Sequence, residues 1–203
     1  MKIKIYLLGL MMVLFTSCKK DQPIVVTTDD YCAAVDTVTG IMVHDIFSPP
    51  VASRIYAYPN IAAYEIIAQN STKYQSLQGQ LHGLDSIPVL EVKSGVNQKL
   101  AALIAHMEVS KQLVFSEEAL EKYRDSLYEK WGSQNQKEFE VSKDYALKVV
   151  DRIKAWMGKD NYKQTRTFPK YSVHTDQAGR WQPTPPAYMD GVEPHWGEIR
   201  TLV

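Results

Sequence analysis

Five histidines are the first residues to weigh for chemistry: His44, His82, His106, His174 and His195. His44 is followed by Asp45, and a carboxylate beside an imidazole can pair a base with the group that orients it. On a helix, however, adjacent residues do not face each other. A lone histidine on a helix therefore reads as a surface or satisfied core group. No His-x-x-x-His or His-Glu-x-x-His spacing occurs, and no cysteine pair exists to hold zinc. Gly-x-Ser-x-Gly, a phosphate-binding loop and a dinucleotide fingerprint are also absent. The carboxylates between residues 117 and 151 read as solvated helix faces with i,i+4 ion pairs. From these residues alone there is no catalytic, cofactor-binding or metal-ligating set to name, although His44, His174 or His195 could serve unrelated chemistry.

The two cysteines have different contexts. Cys32 lies in an apolar helical stretch and reads as a small core residue, not a nucleophile. Cys18 follows Leu14-Phe15-Thr16-Ser17, after a positive start at Lys2 and Lys4 and an apolar run from Ile5 to Phe15. These are the parts of a secretory signal. The run is too short to span a bilayer, which needs roughly 20 apolar residues. The residues before Cys18 resemble a bacterial lipobox, which implies cleavage before Cys18 and lipidation of its sulfur. Lys19-Lys20-Asp21 looks like the start of a mature lipoprotein of Bacteroidetes-type bacteria. The expected organisation is a signal peptide over 1–17, a tether over 18–29 and one helical body over 30–203. The expected location is the bacterial cell envelope, exported and lipid-anchored to a membrane.

Without residues 1–17, which hold two of the 23 basic residues and none of the 23 acidic ones, the chain carries 21 basic and 23 acidic groups, a net charge of −2. No basic excess supports a nucleic-acid partner. With Cys18 lipidated, Cys32 has no partner for a disulfide. The body is long enough for one domain with its own core.

The elements that would position any site read as all-α, a bundle of about five helices. The first runs over about 30–47, capped by Asp29 or Asp30, with Val35, Val38, Met42 and Ile46 as its stripe. Pro49-Pro50 starts the second, over about 50–69, with Ile55, Tyr58, Ala62 and Ile66 on one face. Pro59 should kink or split it. Residues 70–91 read as a long loop. A third helix over about 93–114 carries Val96, Leu100, Leu103, Met107 and Val114. Ser116 caps a fourth with stripe Leu120, Tyr123, Leu127 and Trp131, stopped at Gly132. Ser133 and Gln136 form the capping box of a fifth, antiparallel to the fourth, which Gly158 closes. Residues 159–203 are rich in proline and aromatics, a composition expected to pack on a scaffold.

Two segments carry a family likeness. One is Ser48-Pro49-Pro50-Val51-Ala52-Ser53-Arg54-Ile55-Tyr56-Ala57-Tyr58-Pro59-Asn60-Ile61-Ala62-Ala63-Tyr64-Glu65. The other is Gly179-Arg180-Trp181-Gln182-Pro183-Thr184-Pro185-Pro186 followed by Glu193-Pro194-His195-Trp196-Gly197. Together they resemble the N-terminal half of vanadium-dependent haloperoxidases, in the type 2 phosphatidic acid phosphatase superfamily. The resemblance implies an incomplete half of a larger helical domain. It also implies, for the complete family member, vanadate or a phosphate substrate held by a lysine, two arginines, a Ser-Gly-His element and a further histidine. None of these elements is matched here: Ser94-Gly95 is followed by Val96, and Ser53-Arg54 belongs to the first signature. In the family they follow the Trp-Gly segment, beyond Val203. The expectation is therefore a scaffold portion that lacks its catalytic half and is inactive alone. A missing C-terminal half would be its partner. The alternative is a stand-alone lipid-anchored helical module that binds a partner through residues 168–196.

Overall fold

A computed structural model describes residues 21–69, 71–85, 87 and 95–203. The signal peptide, Cys18 and the first residues of the tether lie outside them. Among the described residues the chain is helical and has no strand. The helices are α1 (Thr28–His44), α2 (Pro49–Ala68), α3 (Gln98–Lys111), α4 (Glu117–Met157) and a single turn, α5 (Tyr162–Thr165), followed by a 3-10 turn at Trp196–Glu198.

The centre of the bundle is α3. Ten of its fourteen residues are buried, from Leu100 to Met107 without a break and then Val109 and Ser110. A helix apolar on nearly every side is one surrounded by its neighbours, and α2, α4 and α1 are those neighbours. The helix is shorter than its apolar pattern because Asn97 caps it, its Oδ1 accepting from Leu100 N at 3.1 Å. Leu113 and Val114 are buried just past its end.

The helix α1 starts earlier than expected. Its cap is Thr27, in a reciprocal capping box with Asp30. Its buried face is Ala34, Val38, Ile41 and Met42. Cys32, two residues before Ala34, is therefore rotated about 200° from that face and is exposed, which corrects its reading as a core residue. Ile46 also leaves the expected stripe. The helix ends at His44, and Ile46 takes a left-handed φ of 55° and points to solvent.

The helix α2 buries Ile55, Tyr58, Ala62 and Ile66 as the spacing predicts. Pro59 does not split it. Packing of this face against α3 outweighs the one backbone bond that proline removes.

The fourth and fifth expected helices are two arms of α4, separated at Asn135, whose φ of −159° and ψ of 90° are non-helical. The arms fold back on each other. Tyr128 and Phe139 have ring centroids 5.1 Å apart, and Lys143 Nζ sits 5.3 Å from the Tyr128 ring. In a straight helix eleven residues would span about 16 Å. The cap of the second arm is Asn135, whose Oδ1 accepts from Glu138 N at 3.1 Å. The expected Ser133–Gln136 box does not form, because the Ser133 hydroxyl donates back to the Lys130 carbonyl.

Residues 22–27, read as part of the tether, are strapped to this hairpin. Ile24 N donates to Glu138 Oε2 at 3.0 Å, and the Ile24 carbonyl accepts from Asn97 Nδ2 at 2.7 Å. Ile24 and Val26 are buried in the core. No helix among the described residues is long and apolar enough to cross a membrane.

Candidate functional site

Near the start of α2 the first signature segment meets the chain that leaves α4. Arg54 Nε donates to Asp160 Oδ2 at 2.6 Å. The pair is buried, with side chains 10% and 2% exposed. Tyr58, one helical turn after Arg54, donates its hydroxyl to the same oxygen at 2.9 Å, and Asp160 Oδ1 accepts from Tyr162 N at 3.0 Å. Asp160 lies just past the end of α4, at the Gly158 stop. Helices α2 and α4 are thus tied at one point to the start of the C-terminal segment.

Arg200 closes the cluster from the other side. Its Nη2 donates to the Tyr58 hydroxyl at 3.2 Å, and its Nη1 to the Trp156 carbonyl at 3.1 Å. Its backbone N donates to the Asp160 carbonyl at 2.9 Å. The Arg200 guanidinium lies 4.5 Å from the Trp156 ring, and that of Arg54 lies 4.3 Å from the Tyr162 ring. Planar cations stacked on aromatic faces gain both packing and electrostatic attraction. Burial, followed by the neighbouring Asp160 carboxylate, pushes the Tyr58 phenol up to about 12, so it stays a proton donor. A cavity of about 300 Å³ opens among Arg54, Tyr58, Asp160, Trp196, Arg200 and Thr201.

A second set of contacts ties the first signature to the Glu193–Gly197 segment. Ser48 donates its hydroxyl to Glu193 Oε1 at 3.2 Å, and Arg166 pairs with Glu193 Oε2. His195 is held by acceptors on both ring nitrogens: Nε2 faces the Pro169 carbonyl at 2.8 Å and Nδ1 faces Glu198 Oε1 at 3.0 Å. Only an imidazolium can donate to both. The Pro169 carbonyl and then Glu198 accordingly raise the His195 pKa above its usual value. Trp196 packs on the core beside Tyr162.

The Gly179–Pro186 part of the second signature stands apart. Gly179 takes a φ of +83°, which favours glycine. Tyr171 and Trp181 meet edge to face at 5.6 Å, over a cavity of about 650 Å³ lined also by Pro186, Met189 and Val192. Val173, Trp181, Tyr188, Met189 and Val192 are all exposed. These side chains give the segment an exposed apolar surface.

The histidines are not brought together. His44, His82 and His174 are exposed and His106 is buried in α3. Burial lowers the His106 pKa to about 4, so it is neutral. Asp45 does not serve His44. Its carboxylate accepts from Phe115 N at 2.8 Å, Ser116 N at 2.9 Å and the Ser116 hydroxyl, and so covers the start of α4. Ser116 holds the cap position, but its hydroxyl faces Asp45 rather than its own helix. A further cavity, about 740 Å³ between α1, α2 and α3, is an apolar groove edged by Tyr31, Asn60, Tyr64 and Lys99.

Vanadate in this family needs an imidazole ligand and a strongly cationic cradle. Among the described residues no group of histidine, cysteine and carboxylate side chains is gathered to hold a metal. The cavity on which Arg54 and Arg200 converge is lined by no imidazole and shares its space with the Asp160 carboxylate, which repels a multiply charged oxyanion. The described residues do not fit vanadate. The Arg54–Asp160 cluster itself could not be found from sequence: Arg54, Asp160 and Arg200 share no motif spacing, and only the signature around Arg54 pointed near it.

No protein-family model matches the chain, and no curated protein matches it. Among solved structures, the crystal structure of a bacterial vanadium-dependent iodoperoxidase is similar. It is 58% identical over 91% of this chain, with a TM-score of 0.86, and the match covers 44% of that protein's chain. The present chain thus spans less than half the length of the solved relative. An identity this high, over a fold this close, means that the chain belongs to the vanadium-dependent haloperoxidase superfamily.

Proposed function

We propose that this chain is the N-terminal scaffold portion of a vanadium-dependent haloperoxidase-like envelope lipoprotein, lipid-anchored through Cys18. The parent chemistry is peroxide-dependent oxidation of a halide, with iodide the first candidate, or hydrolysis of a phosphate ester. The observation that carries the reading is the 58% identity to an iodoperoxidase across 91% of the chain. The exposed apolar surface of residues 173–192 supports it. Patches of this kind mark interfaces, and here the partner would be the catalytic half of the parent protein. This half would bring the lysine, arginines and histidines that hold vanadate, and bound vanadate supplies activation of peroxide. The present chain contributes the bundle and the Arg54–Asp160 tie that fixes its C-terminal segment.

The test is complementation. The full chain is expressed with a polypeptide corresponding to the remaining length of the iodoperoxidase, and iodide oxidation is followed with vanadate and peroxide. Activity from the pair and none from either piece is the expected result. Activity from the present chain alone would overturn the reading. The anchor is tested separately by labelling cells with a fatty-acid analogue. Label on the wild type and none on Cys18→Ala is expected, and an unlabelled wild type would remove the lipoprotein part.

A further inference from the structure

Arginines that tie a fold together normally spend all their donors on it. The two in this cluster do not. Arg54 uses only Nε in a hydrogen bond, to Asp160; neither of its Nη groups has an acceptor among the described residues. Its side chain is nonetheless nine-tenths buried, and it lines the cavity of about 300 Å³. Arg200 satisfies Nη1 and Nη2, but its Nε is buried with no partner. A buried donor left without an acceptor is destabilising, and more so when it is charged. The charge count points the same way. Two guanidiniums face one carboxylate, leaving one positive charge, while the nearby Arg166 and Glu193 offset each other.

From these donors and this charge we infer that the cavity between Arg54, Arg200 and Thr201 is a binding site for a small monoanion. The inference rests on the unused donors and not on family membership. Guanidinium is the side chain suited to anions because its N–H groups are fixed in a plane and weakly hydrated. The single excess charge sets the ligand's charge. One negative charge neutralises the site, whereas a dianion would meet the Asp160 carboxylate uncompensated. Trp196 and Gly197 line the cavity too, so a halide can rest its weakly hydrated surface against the ring while the donors hold its other side. A planar oxyanion of one charge, such as nitrate or a carboxylate, would instead bridge the two Arg54 Nη groups.

The site is tested on the full chain with its arginines labelled with 15N. Sodium iodide and sodium nitrate are titrated separately, with sodium sulfate keeping the ionic strength constant. The side-chain resonances of Arg54 and Arg200 should shift together and saturate with one dissociation constant in the millimolar range, about −4 kcal/mol. Saturation by iodide alone assigns a halide site, and saturation by nitrate as well assigns a general monoanion site. In Arg54→Gln, which keeps a hydrogen bond for Asp160, saturation should disappear. If that variant does not fold, Arg54→Lys should weaken binding at least tenfold, because its ammonium is engaged by Asp160 and offers no planar fork. Shifts that rise linearly without saturating, or that saturate equally in Arg54→Lys, would overturn the assignment.

Discussion

Arg54 and Asp160 are separated by 106 residues and joined by one hydrogen bond of 2.6 Å, with both side chains buried. One belongs to the first turns of α2, the other to the chain leaving α4. The bond therefore connects the bundle to the segment that carries the second signature.

Removing the carboxylate should be costly. In Asp160→Ala the Arg54 guanidinium stays buried without its counter-charge, and Tyr58 and Tyr162 each lose an acceptor. Breaking a buried pair from one side costs about 3–5 kcal/mol. Urea unfolding should show that loss, and the fluorescence of Trp196 should report release of the C-terminal segment earlier than the core. A variant as stable as the wild type would mean the pair contributes nothing net.

The bend in α4 is a second point of control. Asn135 is extended where its neighbours are helical, and its side chain caps the arm that follows. Asn135→Ala removes the cap and favours a straight helix. A cost of about 1 kcal/mol is expected for the cap alone. If the variant loses stability but keeps the contact between Tyr128 and Phe139, seen as a nuclear Overhauser effect, the bend is held by packing and not by the cap.

Two groups give opposite pH dependences. Asp45 feels burial, which raises its pKa, but the hydrogen bonds from Ser116 and Phe115 outweigh it and the net shift is downward from 3.8. Its contribution is complete above 3.8 and is lost as pH falls through the lower folded value. His195 is shifted up from 6.5, first by the Pro169 carbonyl and then by Glu198. Its contribution is complete below 6.5 and is lost as pH rises through the raised folded value. The expected profile has a plateau between pH 4 and 6.5 in which both groups act. His195→Gln should flatten the alkaline limb only, and Asp45→Asn the acid limb only. Melting temperatures across pH 3–9 check this, and an alkaline limb unchanged in His195→Gln would remove His195 as its cause.

Much of the bundle was legible from local pattern. The stripe Ile55, Tyr58, Ala62 and Ile66 is buried as its spacing predicts, and Gly158 ends the last long helix. Helical periodicity reports which face meets the core, and caps act through neighbours a few residues away, so both can be read in a short window. Where burial or helix continuity depends on distant neighbours, local pattern does not reveal it. Cys32 sits among apolar residues yet is exposed, because burial follows the helix's orientation and not the composition around it. Pro59 suggested a break, and packing against α3 carried the helix through.

By itself the sequence determined the all-α class, the pairing of the two arms on either side of residues 132–136, and the likeness carried by two ordered strings of residues. Each of these is local, or is a matter of order along the chain. Only the tertiary structure decided that Asn135 and not Ser133 caps the second arm, that Asp45 serves Ser116 and not His44, and that Arg54, Tyr58, Asp160 and Arg200 share one cavity. The reason is that a polar side chain takes whichever partner folding places within about 3 Å. In this chain those partners come from segments as much as 145 residues apart.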